Sequence, residues 1–131
     1  MTRVVLDASA GVELLLDSPA GERIQAQVPA AAEWWVPEHY FVEAAGALRR
    51  AVYRSAASEA RVVVAFGRLA TSPAHRVQVR PLLADAWSKR ANLTIADALY
   101  VVLAEHLTAT LVTADLKLAK SPAVTVPTIT P

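Results

Sequence analysis

The sequence contains four carboxylates whose positions would suit one shared chemical function, namely Asp7, Glu43, Asp97 and Asp115. The first and the last come close behind short apolar runs typical of buried strands, and the other two lie in helical stretches. Carboxylate oxygens are the ligands that Mg²⁺ and Mn²⁺ prefer, and both ions accept phosphate oxygens as further ligands. These acids therefore point to metal-dependent hydrolysis of phosphodiester bonds, provided that folding brings them together.

Each acid also has an ordinary structural interpretation. Asp7 and Asp115 would make good N-caps for the helices that follow them, because aspartate accepts hydrogen bonds from free backbone N–H groups. Thr94 and Asp97 have the spacing of a capping box, although a charge entering so apolar a helix needs donors or a cation around it. Glu43 is predicted to lie away from the apolar stripe of its helix, where a solvated glutamate would look the same.

The apolar period alternates along the chain between short strand-like runs and longer helical ones. The predicted strands are Arg3–Leu6, Trp34–Val36, Arg76–Val79, Thr110–Thr113 and Val124–Val126. The predicted helices are Ser9–Leu16, Pro19–Val28, Glu38–Arg54, Ala57–Ala70, Leu82–Lys89 and Thr94–Leu107. This alternation predicts an α/β layered domain. Such uniformly apolar strands are typical of a parallel sheet covered on both faces, in which ligands bind beyond the carboxyl ends of the strands.

Length and composition narrow the possibilities further. With 131 residues the chain is predicted to form one domain over residues 1–131, and it has no cysteine for a disulfide or a thiolate metal site. Hydrophobic residues make up 54% of the sequence, but every apolar run is too short to span a membrane. Asp7 interrupts any signal-peptide core, so we expect a cytoplasmic protein. The net charge of +1 is too small to indicate a nucleic-acid partner by itself.

Other catalytic chemistries find little support in the sequence. His39, His75 and His106 are scattered without metal-ligand spacing, and lone histidines of this kind are usually structural or surface residues. The four glycines form neither a dinucleotide-binding fingerprint nor a phosphate-binding P-loop. A Gly-x-Ser-x-Gly elbow is also absent, so nucleophilic serine catalysis lacks its parts.

Three segments of the chain together resemble a known family. They are Val-Val-Leu-Asp-Ala-Ser-Ala near the start, Thr-Ile-Ala-Asp-Ala-Leu-Tyr-Val-Val-Leu-Ala, and Leu-Val-Thr-Ala-Asp-Leu-Lys-Leu-Ala. With the internal Glu43, this pattern is similar to that of the PIN-domain endoribonucleases, and within them to the VapC-type toxins of toxin–antitoxin pairs. The resemblance extends over essentially the whole chain. It implies a PIN-like three-layer α/β/α sandwich with a mainly parallel central sheet.

The resemblance also implies roles for individual residues and partners. The metal-binding and catalytic positions it implies are Asp7, Glu43, Asp97 and Asp115, with supporting hydroxyls from Ser9 and Thr113. Glu33 and Glu38 lie close enough in sequence to compete with Glu43 for the helix position. The implied activity is that of a Mg²⁺- or Mn²⁺-dependent endoribonuclease, which hydrolyses RNA through a metal-activated water. A cognate antitoxin and a homodimer are the protein partners that it implies.

Basic side chains offer candidate contacts for an RNA backbone. Arg50 and Arg54 follow Glu43 along one helix on roughly the same face, and Lys117 follows the last acid. Their ordinary interpretation is a solvated helix surface. A second class of function is also compatible with the sequence, namely a non-catalytic RNA- or protein-binding module on the same scaffold. The four intact acids favour the enzyme. A site that no longer catalyses should have lost at least one of these charges, because keeping a charge buried costs free energy.

Overall fold

Within residues 2–131, which the computed structural model describes, five short strands form one sheet. The strands are β1 (Arg3–Leu6), β2 (Glu33–Pro37), β3 (His75–Val77), β4 (Thr110–Val112) and β5 (Thr128–Ile129). Their spatial order is β3-β2-β1-β4-β5, and every neighbouring pair is parallel. β1 therefore lies at the centre of the sheet, between β2 and β4.

Seven α-helices in the same residues connect and cover the strands. They are α1 (Ala8–Leu15), α2 (Pro19–Gln27), α3 (Tyr40–Tyr53), α4 (Glu59–Ala70), α5 (Leu83–Ser88), α6 (Ile95–Leu107) and α7 (Leu116–Ala119). Ser18, Ser58 and Thr94 start α2, α4 and α6, because their hydroxyls accept hydrogen bonds from backbone N–H groups of the first turn. Pro19 suits the first turn of α2, where its missing N–H has no partner to lose.

Helices cover the sheet on both faces. Val4 and Val5 are neighbours in β1 and point to opposite faces, yet both are fully buried. On one side α6 packs against β1, β2 and β4, and α5 packs on α6. On the other side α1, α3 and α4 pack on one another, and Leu14 and Leu15 of α1 line a cavity together with Leu6 of β1. This arrangement confirms the predicted three-layer α/β/α sandwich with a parallel central sheet.

α6 is the most deeply buried helix, as its nearly continuous apolar sequence predicts. Every residue from Ala98 to Ala104 is buried, so the helix lies between other layers rather than on the surface. Its length of 13 residues is nevertheless short. Within residues 2–131, no helix combines the length and the apolar character that crossing a membrane requires.

The last strand does not lie where the sequence predicts it. β5 is Thr128–Ile129 rather than Val124–Val126. The N–H of Val124 instead closes a turn on the carbonyl of Ser121. Pro127 has no N–H to offer a ladder, so pairing with β4 begins at its carbonyl, which accepts from the N–H of Leu111 at 2.9 Å.

The other predicted elements are present, with shifts of one or two residues at their ends. β3 ends at Val77 rather than Val79, because Val79 already begins a turn of 3₁₀ helix over Arg80–Leu82. That turn leads directly into α5. α3 begins at Tyr40, two residues later than predicted. Fraying and 3₁₀ turns of this kind make helix ends the least predictable part of a sequence.

The order of the strands creates a binding edge. From β1 the chain moves outward to β2 and β3, and it then crosses to β4 and β5 on the other side of β1. The carboxyl ends of β1 and β4 consequently form a topological switch point, which is where ligands bind in parallel α/β sheets. Asp7 directly follows β1, and Asp115 lies in the connection after β4. Both acids therefore stand at this edge, as predicted.

Candidate active site

Asp7 is buried at the switch point and receives hydrogen bonds from three donors. The residue is only 3% exposed. Ser9 Oγ donates to Asp7 Oδ1 at 2.7 Å, and the N–H of Ala10 donates to the same oxygen at 3.0 Å. Thr113 Oγ1, just beyond β4, donates to Asp7 Oδ2 at 2.6 Å. The Ala10 contact makes Asp7 the N-cap of α1, so its ordinary interpretation is correct but incomplete.

The hydroxyls of Ser9 and Thr113 also hold the backbone that leads to Asp115. Each hydroxyl has a single proton, and each donates it to Asp7. Their lone pairs accept hydrogen bonds from the N–H groups of Ala114 and Asp115, both at 3.0 Å. The two hydroxyl oxygens lie 3.2 Å apart because they share one carboxylate. Ser9 and Thr113 thus lie between the first and the last acid of the set.

The surroundings of Asp7 disfavour its charge. Burial raises the pKa of the Asp7 carboxyl above its ordinary value, and the charge of Asp97 raises it further. The hydrogen bond from Thr113 is the largest of the contributions that lower this pKa. Asp7 in turn acts on Tyr40, whose pKa rises to about 12 because of burial first and of the Asp7 charge second.

Asp97 lies in the first turn of α6 and is electrostatically coupled to the other three acids. Its N–H donates to Thr94 Oγ1 at 3.1 Å, which is the threonine half of the predicted capping box. Burial is the main cause that raises the pKa of the Asp97 carboxyl, and the charges of Glu43 and Asp115 raise it as well. Thr94 and His39 act in the opposite direction. The charge of Asp97 also raises the pKa of Asp7. Asp97 therefore interacts electrostatically with each of the other three acids.

Asp115 caps the short helix α7. Its Oδ1 accepts hydrogen bonds from the N–H groups of Lys117 at 3.0 Å and Leu118 at 3.1 Å. The capping interpretation made from the sequence is therefore correct for Asp115 as well. Capping occupies one of its two carboxylate oxygens, so it is compatible with a second role at the same residue.

Glu43 is partly exposed and has a hydrogen-bond partner from α6. Its side chain is 36% exposed. Tyr100, a buried residue of α6, donates from its hydroxyl to Glu43 Oε1 at 2.6 Å. A side chain from the opposite helical layer thus reaches this face of α3, so the solvated alternative describes Glu43 only in part. Burial raises the pKa of Tyr100 far above its ordinary value and Glu43 raises it further, so the hydroxyl keeps the proton that it donates.

The competing glutamates are placed differently from Glu43. Glu33 begins β2, at the opposite edge of the sheet, where Arg3 lies 3.4 Å from its carboxylate. Glu38 follows β2 at the correct edge but is exposed. Of the three, Glu43 is the glutamate whose charge acts on Asp97. Its placement therefore agrees best with the helix position that the resemblance implies.

His39 and Tyr100 are neighbours of the acids that the sequence interpretation overlooked. His39 Nε2 lies 2.9 Å from the carbonyl oxygen of Ala96 and 3.6 Å from Glu43 Oε1. The rings of His39 and Tyr100 are 4.6 Å apart between centroids. A signal for both was present, because His39 precedes Glu43 by four residues and Tyr100 follows Asp97 by three. In helical segments those spacings place side chains on one face.

The acidic set fits a divalent cation in its chemistry and its charge. Within residues 2–131, Asp7, Asp97 and Asp115 form no ion pair with a basic side chain. In that part of the chain, no three His, Asp or Glu side chains are grouped closely enough to hold an ion by themselves. Mg²⁺ is commonly bound through one or two carboxylates, and waters and substrate phosphates complete its shell. The four acids therefore suit a divalent ion in donor type and charge, but within residues 2–131 they could hold one only together with further ligands such as water or phosphate.

The candidate RNA contacts extend away from the acids. Arg50 and Arg54 are exposed, and their backbones lie about 10 and about 16 Å beyond Glu43 along α3. The guanidinium of Arg50 folds back over Gly46, where it would be 3.6 Å from an added Cβ. Lys117 is exposed on α7. Among the described residues none of these three side chains pairs with a carboxylate, so their charges are available to phosphates.

Solved structures of other proteins share this architecture. The crystal structure of Mycobacterium tuberculosis VapC20, a sarcin-ricin loop cleaving toxin, gives a TM-score of 0.65 at 15% identity and covers 98% of this chain and 99% of that one. VapBC2 from Rickettsia felis, bound to a DNA fragment from its promoter, gives 0.62 at 12% identity and covers 97% and 98%. At these identities the likeness shows the fold alone.

Similarity in sequence is more specific. Ribonuclease VapC12 of Mycobacterium tuberculosis is 38% identical over 118 residues, which are 90% of this chain and 91% of that relative. The PIN domain matches residues 4–123, a range that contains all four acids. The chain therefore belongs to the PIN domain family.

Proposed function

We propose that this protein is a Mg²⁺- or Mn²⁺-dependent endoribonuclease that acts as the toxin of a toxin–antitoxin pair. The observation that supports this function most is that Asp7 and Asp115 stand together at the carboxyl edge of the sheet, linked through the hydroxyls of Ser9 and Thr113. The charge of Asp97 also acts on Asp7. Within residues 2–131, Asp7, Asp97 and Asp115 form no ion pairs with basic side chains. A bound cation would therefore relieve the repulsion between their charges. The relative named as ribonuclease VapC12 points to RNA as the substrate.

Each side chain of the site would have its own role in the reaction. Asp7, Asp97 and Asp115 would hold the cation, and Glu43 would either bind it or orient the attacking water. When bound, the ion supplies the positive charge that makes a water more acidic and neutralises the phosphodiester. Ser9 and Thr113 fix both oxygens of Asp7, so this carboxylate is oriented before substrate arrives. Because the carboxylate is already oriented, substrate binding does not have to supply the free energy for ordering it.

The proposal also specifies partners. Single-stranded or looped RNA is the expected substrate, because an exposed phosphate must reach carboxylates that are partly or fully buried. Arg50, Arg54 and Lys117 would contact the flanking backbone through charge. We expect a cognate antitoxin protein to hold the activity in check, and we expect the toxin to act in the cytoplasm as a homodimer.

The direct test is cleavage of structured RNA by the purified protein with Mg²⁺, with Mn²⁺ and with EDTA. Asp97→Asn keeps the shape of the side chain and removes the charge that connects the acids. We expect it to lower cleavage by about 10²-fold or more, on the scale of removing one preorganised electrostatic group. Asp85→Asn is the matched control, because Asp85 pairs with His106 on the surface at 2.8 Å. That variant should cleave like the wild type.

Cation binding gives a second measurement that does not depend on turnover. A divalent ion that binds the native state raises the free energy of unfolding by about 2.7 kcal/mol at 100 times its dissociation constant. The wild type and Asp85→Asn should therefore melt at a higher temperature in Mn²⁺, and Asp97→Asn should respond less. Full cleavage by Asp97→Asn, with contaminating nuclease excluded, would contradict the proposal. RNA binding without any cleavage by the wild type would assign the chain to the non-catalytic class instead.

A further inference from the structure

We propose that Tyr100 and His39 are positioning residues, which together hold the carboxylate of Glu43 in register with Asp97. The inference rests on the proposed function and adds to it the means by which two acids from different layers are aligned. Neither residue is assigned contact with substrate. Their role is to fix Glu43, the acid with the longest side chain in the set.

The need for such a device follows from the layers of the fold. Glu43 belongs to α3, which packs on α1 and α4, whereas Asp97 belongs to α6, which packs on α5 and on the sheet. The two acids therefore approach the same edge from opposite sides of the sandwich. A glutamate side chain with 36% exposure has several rotatable bonds, and packing of its own helix alone does not select one arrangement.

Tyr100 supplies a fixed point for Glu43. It follows Asp97 by three residues on α6, so both side chains leave the helix on the same face. The residue is only 1% exposed, and its ring is therefore immobilised by the core. The hydroxyl at the end of this rigid ring donates to Glu43 Oε1 at 2.6 Å. One hydrogen bond thus ties the carboxylate of α3 to the turn of α6 that carries Asp97.

His39 completes the connection between the two layers. It precedes α3 without capping it, and its ring extends to α6 instead. A carbonyl oxygen can only accept, so His39 Nε2 carries the hydrogen that is donated to Ala96 at 2.9 Å. The other nitrogen, Nδ1, is buried and has no partner in residues 2–131, so the ring is oriented by this hydrogen bond and by Tyr100. His39 therefore restrains the backbone beside Asp97 and the ring that holds Glu43.

The experiment measures Mn²⁺ affinity by calorimetry on the full chain, with RNA cleavage as a second readout. Tyr100→Phe keeps the ring and removes only the hydroxyl. We expect it to bind Mn²⁺ about 10-fold more weakly or worse, on the scale of losing a group that orients a ligand. Tyr53→Phe is the matched control, since Tyr53 is 75% exposed at the far end of α3. It should bind Mn²⁺ like the wild type.

A double-mutant cycle separates positioning from a general effect on structure. If the hydroxyl acts through Glu43, then Tyr100→Phe should change Mn²⁺ affinity by less than about 2-fold in a Glu43→Gln background. His39→Gln, whose amide can still donate to a carbonyl, should retain more affinity than His39→Ala. His106→Gln, which alters a surface histidine, should change nothing. This histidine series also tests the inference independently if Tyr100→Phe does not fold.

The outcomes distinguish this inference from the function on which it rests. Mn²⁺ affinity that is unchanged in Tyr100→Phe and His39→Ala would overturn the positioning role while the ribonuclease proposal stands. Additive effects of Tyr100→Phe and Glu43→Gln would overturn it as well. A wild-type protein that neither binds Mn²⁺ nor cleaves RNA would overturn both.

Discussion

Thr113 and Asp7 are 106 positions apart in the sequence, and a 2.6 Å hydrogen bond joins Thr113 Oγ1 to Asp7 Oδ2. Parallel pairing explains the contact, because Leu6 at the end of β1 lies opposite Val112 at the end of β4. The next residue of each strand is then brought to the same point at the edge. Since both residues are buried, the pairing of β1 with β4 also brings Asp7 to the partner that orients it.

Thr113→Val should destabilise the protein by about 1.5 to 3 kcal/mol, the usual range for a hydrogen bond to a charged group. Valine keeps the volume of threonine but leaves a buried oxygen of Asp7 without its donor. Thr113→Ser retains the hydroxyl and should lose less. Urea unfolding measures the differences, with Thr110→Val at the half-buried start of β4 as the control. A Thr113→Val variant as stable as the wild type would show that the hydrogen bond adds nothing.

Asp97→Asn should stabilise the cation-free protein at neutral pH. Burial, followed by the charge of Glu43, raises the pKa of Asp97 in the folded state, so folding favours the protonated carboxyl. That stabilisation is complete below the unfolded pKa of about 3.9 and is lost as the pH rises through the folded pKa. Asparagine cannot ionise, so its advantage over aspartate should grow with pH. Urea unfolding in EDTA between acidic and neutral pH tests the sign, and a variant that becomes less stable than the wild type as pH rises would contradict it.

Gly21 should not tolerate alanine, whereas Gly67 should. α1 and α2 approach so closely that a Cβ on Gly21 would lie 2.7 Å from the carbonyl carbon of Glu13. Backbone atoms cannot move aside as a side chain can, so Gly21→Ala should cost about 1 to 3 kcal/mol. A Cβ on Gly67 would meet no atom within 4 Å, and alanine in that exposed helical position should add about 0.5 to 1 kcal/mol. Melting temperatures of the two variants should therefore move in opposite directions from that of the wild type.

Arg50→Ala and Lys117→Ala should weaken RNA binding and flatten its dependence on salt. For single strands the slope of log affinity against log salt falls by about 0.7 for each phosphate contact that is lost. Binding is measured in the Asp97→Asn background, so that cleavage does not remove the probe. Arg23→Ala alters an exposed arginine of α2 and is the control. Arg54→Ala should have the smaller effect of the two α3 variants, because Arg54 lies farther from the acids. Unchanged slopes in all variants would remove these residues from the RNA surface.

Local signals in the sequence predicted most of the fold. Ser18 followed by proline, and Thr94 ahead of an apolar run, identified the starts of α2 and α6 because capping depends on adjacent residues. The nearly continuous apolar run in α6 predicted burial between layers, because apolar residues on every side of a helix are visible within one segment. β5 was misplaced because two residues of pairing carry too little pattern, and the valines beside it had a stronger one.

The candidate site was predictable only in part. Aspartates that follow strands are visible in the sequence, since a parallel sheet places all carboxyl ends at one edge. The contact between Tyr100 and Glu43 spans 57 residues and two layers, and periodicity within one helix cannot reveal it. The same limit applies to the contact between His39 and Ala96, although its spacing from Glu43 was visible in the sequence. Pairing across layers is the information that the linear pattern lacks.

The placement of β4 beside β1 has a consequence for how the protein is made. Synthesis produces β1 before β4, so Val5 receives its neighbour Leu111 only after all the residues between them have been made. Until then Asp7 has no Thr113 to hold its second oxygen, and Asp115 has not been added. A nascent chain that has not yet reached Thr113 therefore carries Asp7 without the partner that orients its second oxygen. The order of translation therefore delays the contact between Thr113 and Asp7 until β4 and the residue after it have been made.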